Sequence, residues 1–404
     1  MKSFSQQLQE SLKNRQLKGL YRHRKTTTAA QGTEIEVNGK LLVNFCSNDY
    51  LGLANNSEVL RACKQGIDLY GVGSGASHLV VGHSHAHHAL EEELADFTGR
   101  SRVLLFSSGY MANVGVLTAL ANKKDYVFED KLNHASLIDG GLFSGADFKR
   151  YPHLNIEKLI DALKNKQKSE NTFIVSDGVF SMDGDCAELP RLIEVATNYN
   201  AQLMLDDAHG FGVLGNNGGG LVEYYRNCGH IINEKNLPIL IGTLGKSFGT
   251  QGAFVAGSEE LIESLIQYCR PYIYTTAMAP AIAVATRASL KLIQKGNWRR
   301  EKLQILIKSF RSRCKELGFT LTNSMTPIQG LIFGDAKMSL EASQILENDG
   351  VFVTAIRPPT VPQGTARLRV TFSANHTQAQ LELLLTALEK IQPLISEEVS
   401  NATG

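Results

Sequence analysis

A mainly parallel α/β sheet followed by a smaller α+β region is the fold class that this 404-residue sequence predicts. Three observations predict it. Short apolar runs at 103–106, 126–128, 173–175, 202–205, 238–241 and 253–256 mostly alternate with stretches of helical periodicity. Continuous apolar strands joined by helices belong to parallel sheets covered on both faces. After Pro280 the order changes to long helices followed by strands. The length also exceeds what one hydrophobic core organises, so at least two packed regions are expected.

Residues 1–46 are expected to form an N-terminal helix and arm. Phe4, Leu8, Leu12 and Leu17 fall near helical spacing, a basic cluster follows at Arg22, His23, Arg24 and Lys25, and residues 41–45 read as a strand. Residues 47–281 form the large α/β domain, opening on the turn-rich SNDYLG and carrying helical segments at 90–97 and 189–199. Residues 282–404 form the small C-terminal α+β domain. Its helical stretch, 282–317, is interrupted at KGNW, and strands are expected at 328–333, 351–356 and 368–372. A last amphipathic helix spans 377–391, and the tail EEVSNATG is expected to fray.

Composition narrows the function. With 41 basic and 40 acidic side chains there is no broad positive field for nucleic acid. No apolar run is long enough to span a bilayer, and the first residues lack the apolar region of a secretory signal. The six cysteines form no C-x-x-C pair and read as small buried or indifferent residues. A cytoplasmic enzyme is expected.

The stretch GTLGKSFG, residues 242–249, sets Lys246 among glycines and small hydroxyl residues just after an apolar strand. Such a lysine lies at the C-terminal edge of the sheet, where open α/β sheets bind ligands. Surroundings that favour its neutral amine make it a nucleophile toward aldehydes. A phosphate loop is not matched, because Leu240 stands where G-x-x-x-x-G-K needs glycine. At the end of another strand, the acidic pair Asp206-Asp207 caps the following loop or holds a charged ligand. A carboxylate against a protonated pyridine nitrogen contributes about 4 kcal/mol at an effective dielectric of about 20. That is roughly three pKa units, enough to decide the charge of the ring of a bound pyridoxal phosphate.

Asp206-x-x-His209 followed by Thr243-x-x-Lys246 resembles the aspartate aminotransferase-like fold, fold type I of the pyridoxal-phosphate-dependent transferases. More narrowly it resembles the α-oxoamine synthases, which condense an amino acid with an acyl thioester and lose carbon dioxide. SNDYLG, GSGASH, LEEELADFTG, FSSGYMAN, NHAS, GVFSMDGD, DDAHGFGVLG, TLGKSFG and TARLRVTFSANH occur in family order over nearly the whole chain. The resemblance implies Lys246 as the Schiff-base lysine and Asp206 as the pyridinium partner. It implies His209 on the phenolic oxygen, His134 over the ring face with a part in catalysis, and Ser181 beside the ring. Gly109 and Tyr110 would offer backbone N–H groups to the phosphate and Thr243 a hydroxyl, a helix N-terminus being an anion site. Thr275 or Thr276 would reach the phosphate of a neighbouring subunit, which implies a homodimer with shared sites.

The segment AIRPPTVPQGTARLR, residues 355–369, looks most like the family subgroup that joins L-alanine to a pimeloyl thioester in biotin synthesis. By that resemblance Arg369 would bind the amino-acid carboxylate, Thr360 the acyl substrate and Asn48 the mouth of the site. Arg24, in preference to Arg22, would face the thioester's carrier, coenzyme A or acyl carrier protein. Other subgroups, using glycine with acetyl or succinyl thioesters, are the alternative, and a scaffold that has lost its chemistry is the alternative of another kind.

Two further motifs have rival readings. In GHSHAHH, residues 82–88, His87 with Glu91 or His88 with Glu92 would share a helix face as metal ligands. The plainer reading is a polar helix start, and no metal is expected. Gly71, Gly73 and Gly75 imitate a dinucleotide fingerprint, but no strand precedes them, so a nicotinamide enzyme is a poor fit.

Overall fold

The computed structural model describes residues 2–18 and 20–401, with side chains described as far as residue 394. Helix α1 (Phe4–Leu17) leads to strands β1 (Glu34–Val37) and β2 (Lys40–Asn44), then to helices α2 (Ser57–Tyr70) and α3 (His85–Thr98). Strand β3 (Arg102–Phe106), helix α4 (Gly109–Leu120), strand β4 (Tyr126–Asp130), helix α5 (Ala135–Phe143) and strand β5 (Asp147–Tyr151) follow. Strands β6 (Thr172–Asp177), β7 (Gln202–Asp206), β8 (Ile239–Thr243) and β9 (Ala253–Gly257) complete the large sheet. The remaining strands are β10 (Ile328–Gly334), β11 (Val351–Phe352), β12 (Thr354–Ile356) and β13 (Ala366–Thr371).

The large sheet has seven strands in the order β3-β9-β8-β7-β6-β4-β5. Only β9 runs against the rest, pairing antiparallel with β3 and β8. Successive strand residues point to opposite faces, and the core divides accordingly. Leu105, Phe128, Ile174, Leu205 and Leu240 pack on one face with α3 residues Leu90 and Leu94. Leu104, Val127, Val175, Met204 and Ile241 pack on the other with α4 residues Val116 and Leu117. Burial on both faces is why these strands read as continuous apolar runs. The ends of β6, β7 and β8 break that run with Asp177, Asp206 and Thr243, so polar groups collect along one edge.

Two small sheets flank it, β1-β2-β11 and β10-β13-β12. The single strand expected at 351–356 is therefore two. Val351 and Phe352 pair parallel with β2, whereas Thr354 to Ile356 pair antiparallel with β13. The expected arm is tied by β2 to this late segment. Helices Pro280–Gln294 and Asn297–Glu316 are separated at the foreseen break, and the last helix, Gln378–Asn401, runs ten residues past its expected end. That helix takes in the first part of the tail expected to fray; residues 402–404 lie outside the described residues. Helix α1 forms as its periodicity predicts, yet it buries no residue, with Phe4 and Leu17 each 76% exposed. All six cysteines are free thiols, and no helix among the described residues is long and apolar enough to cross a membrane.

Candidate active site

The loop after β8 presents Lys246 because its apolar residues are anchored. Leu244 and Phe248 are fully buried, the Leu244 N–H donates to Gly252 O at 2.8 Å, and the Ser289 hydroxyl donates to Phe248 O at 2.6 Å. Gly249 closes the turn, its N–H donating to Lys246 O at 2.8 Å with φ +65°. A side chain there would come within 2.3 Å of the Ala54 backbone nitrogen. Lys246 itself is half-buried. Enclosure of its amine pulls the pKa down to about 8; Asp206 and Asp177 oppose that shift and Arg369 adds to it.

The two aspartates at the end of β7 divide the two readings of the sequence between them. Asp207, fully buried, accepts from Leu221 N at 2.6 Å and caps the loop; burial pushes its carboxyl well above the usual range. Asp206 accepts from Ala208 N at 2.9 Å and from the Asn113 amide at 2.6 Å. Asn113 also donates to Ser136 Oγ at 2.8 Å, and Ser136 Oγ lies 2.7 Å from His134 Nδ1. His134 is the N-cap of α5, Nδ1 accepting from Ser136 N at 3.3 Å, which puts the ring proton on Nε2. Its own backbone N–H donates to Asp177 at 2.7 Å. His134 is exposed at the rim, while the protein around its ring lowers its pKa and keeps it neutral.

His209 is buried and held neutral, first by burial and then by Lys246. Its Nδ1 lies 2.7 Å from the hydroxyl of Tyr50, which also donates to Asn48 Oδ1 at 3.1 Å. The same Asn48 oxygen accepts from Arg369 at 3.2 Å, and Arg369 Nε donates to Ser181 O at 2.7 Å. Among the described residues, buried Arg369 has no carboxylate within 4.0 Å, whereas Arg367, two residues earlier on β13, is locked to Asp183. One chain of contacts thus links His209, Tyr50, Asn48, Arg369 and Ser181. Tyr50, Asn113, Ser136 and Asp177 were assigned no role from the sequence. Tyr50 stands inside SNDYLG, Asn113 ends FSSGYMAN and Ser136 ends NHAS, while Asp177 immediately precedes GVFSMDGD, and those motifs were the only signals.

Helix α4 starts at Gly109 under the cap of Ser108, whose hydroxyl accepts from Met111 N at 3.2 Å. The first-turn N–H groups of Gly109 and Tyr110 have no intrahelical acceptor. A Cβ on Gly109 would sit 4.0 Å from Thr243 Oγ1, so the helix start and Thr243 face one space. Tyr110 offers only its backbone there, because its hydroxyl donates to Asp139. Thr276 bridges to Ser77, and its carbonyl accepts from Ser107 at 3.4 Å beside the approach to α4; Thr275 is its half-buried neighbour.

Thr360 lies elsewhere, in a cleft of about 700 Å³ lined also by Tyr21, Arg22, Lys25, Phe352 and Arg357. Arg22 lines this cleft and Arg24 does not. Lys25 is turned inward by Glu347 and by the face of Phe352.

A buried amine of lowered pKa, a carboxylate at a strand end, two neutral histidines and a helix N-terminus share one sheet edge, and sequence comparison defines their class. The profile described as "Aminotransferase class I and II" matches residues 40–388, and the chain belongs to that enzyme family. Within it, the chain is 54% identical over 393 residues to a protein of Pseudomonas savastanoi pv. phaseolicola named 8-amino-7-oxononanoate synthase, covering 97% of this chain and 98% of that one. The structure of 8-amino-7-oxononanoate synthase from Francisella tularensis is 34% identical with a TM-score of 0.77, covering 89% and 99%. Serine palmitoyltransferase from S. paucimobilis, solved with bound PLP–myriocin aldimine, is 29% identical with a TM-score of 0.90, covering 98% and 100%.

The donor set fits pyridoxal phosphate. Lys246 supplies an amine, Asp206 a carboxylate whose two oxygens are already oriented by Ala208 and Asn113, and the Gly109 helix start an anion cradle open for lack of a side chain.

Proposed function

We propose that the chain condenses L-alanine with a pimeloyl thioester, releasing carbon dioxide and the thiol carrier and giving 8-amino-7-oxononanoate for biotin synthesis. The names of relatives at 54% identity support the product, 8-amino-7-oxononanoate. Arg369 carries the reading: a buried guanidinium held by a carbonyl and an amide oxygen is a seat for a substrate carboxylate.

Pyridoxal phosphate, when bound, supplies an electron sink for the charge left at Cα. Asp206 would hold the ring nitrogen's proton, His209 the phenolic oxygen, Thr243 with the N–H groups of Gly109 and Tyr110 the phosphate, and His134 and Ser181 the two sides of the ring. The Lys246 amine, with a pKa near 8, takes the α-proton of alanine at Nζ and returns it after carbon dioxide has left. Neutral His134, with its proton on Nε2, donates toward the thioester or keto oxygen as charge develops there. Asn48 and Tyr50 hold Arg369 and His209 in fixed relation across the site. Thr360 and Arg22 would meet the acyl chain and its carrier in the cleft that they line.

A division into units 47–281 and 282–404 belongs to the same proposal, with Lys246 on the larger and Arg369 on the smaller. So does a homodimer in which Thr275 or Thr276 completes the neighbour's phosphate site. The test is thiol release by purified protein with L-alanine, glycine or serine, each against pimeloyl-CoA and pimeloyl-acyl carrier protein. Alanine with a pimeloyl thioester should be fastest, and the faster carrier identifies the donor. Glycine with succinyl-CoA outpacing alanine would overturn the substrate assignment.

A further inference from the structure

We infer that His83, His88 and Glu91 form a binding site for a first-row divalent metal ion, zinc(II) foremost, separate from the residues that act on substrate. His88 and Glu91 lie three apart on α3 and so on one face. His83 follows the π-helical turn His78–Gly82 and folds back over the start of that helix. One ligand atom from each of the three lies within 4.8 Å of the other two. His87, paired with Glu91 on sequence grounds, is spent elsewhere. Its Nδ1 caps α3 with Ser84, and its Nε2 contacts Met278 O at 2.8 Å.

The surroundings favour a cation. Glu91 Oε1 accepts from Leu105 N at 3.1 Å, while Oε2 faces His83 Nε2 at 3.8 Å. The nearby Arg102 pairs with Glu259 and Glu263 at 3.2 and 3.3 Å, so its ion pairs are made away from Glu91. On the other side, His83 Nδ1 lies 3.0 Å from His78 Nδ1, and His78 stacks on Tyr272 with centroids 5.0 Å apart. That outer contact engages the far nitrogen of His83 and turns Nε2 toward Glu91, the arrangement in which a second residue orients a metal-binding imidazole. Two imidazoles and one carboxylate suit zinc(II) and its neighbours, not magnesium or calcium, which take oxygen ligands. A cavity of about 470 Å³, lined by all three ligands and by Glu92, leaves room for a fourth ligand. Metal there would tie the turn at 78–82 to α3.

Isothermal titration of zinc(II) into the metal-stripped full-length protein tests this. One ion per chain is expected. His88→Gln, on an exposed side chain, and Glu91→Gln, which keeps the acceptor for Leu105, should each weaken uptake at least about tenfold with unchanged circular dichroism. Absence of a one-per-chain site in the wild type, or equal uptake by both variants, would overturn the assignment.

Discussion

Lys246 is enclosed as an amine, which makes it chemically useful and costs stability while no aldehyde is bound to it. Its pKa in the folded chain, about 8, lies below the unfolded value of about 10.4. Between those values the unfolded chain binds more protons, so cofactor-free protein gains stability as pH rises through that window. Below about pH 8 the penalty is fully present. Cofactor-free Lys246→Met should therefore melt above the wild type at pH 7, with the gap closing as the pH approaches about 10. A gap that does not change with pH would contradict the enclosure. At Arg369 the expected effect is on binding: Arg369→Gln should raise KM for the amino acid about 10- to 100-fold, the worth of a charge-assisted hydrogen bond, and leave the visible band of bound cofactor intact. Loss of that band with an unchanged KM would mean that Arg369 shapes the fold and not the substrate seat. Lys246, Asp206, His209, His134 and Arg369 were all legible as short motifs. Tyr50, Asn113 and Asp177 were not, because their meaning is a contact made far along the chain: Tyr50 with His209, Asn113 with Asp206, and Asp177 with the backbone of His134.

The seven-stranded sheet was largely readable because strands buried on both faces are continuous apolar runs. β5, whose sequence is DFKRY, escaped notice as a partly exposed edge strand carrying charge, and β1 as a short alternation of exposed and buried residues. The split of 351–356 between two sheets depends on partners that the segment's own sequence does not name. α1 shows the limit of periodicity, which predicts a helix but not what covers it. The loop after β8 is different, since the turn that closes it needs the glycine at its end. Gly249→Ala places a side chain at φ +65° against the backbone of Ala54. It should cost about 1–3 kcal/mol in chemical denaturation and displace Lys246, with a larger fall in kcat than in substrate binding. Unaltered stability and kcat would mean that the loop does not depend on that turn.

Across the whole molecule, the site joins the edge of the large sheet to β13 of a small one through Arg369, Asn48 and Ser181. Apolar residues are left outside. Val80, Val81 and Tyr274 are 73%, 79% and 71% exposed, and they flank the Ser77–Thr276 bridge beside the approach to α4. An apolar surface next to the proposed phosphate cradle is where a second subunit would complete it. Light scattering of the eluted protein should report a dimer, and Val81→Glu should shift it toward monomer with a parallel loss of activity. A fully active monomer would rule out shared sites.

The central claim is that one enclosed amine holds pyridoxal phosphate at the sheet edge. Borohydride reduction of protein saturated with that cofactor, followed by peptide mass mapping, tests it most directly. One pyridoxyl group per chain on the peptide containing Lys246 is predicted; a label on another lysine, or none, would contradict it.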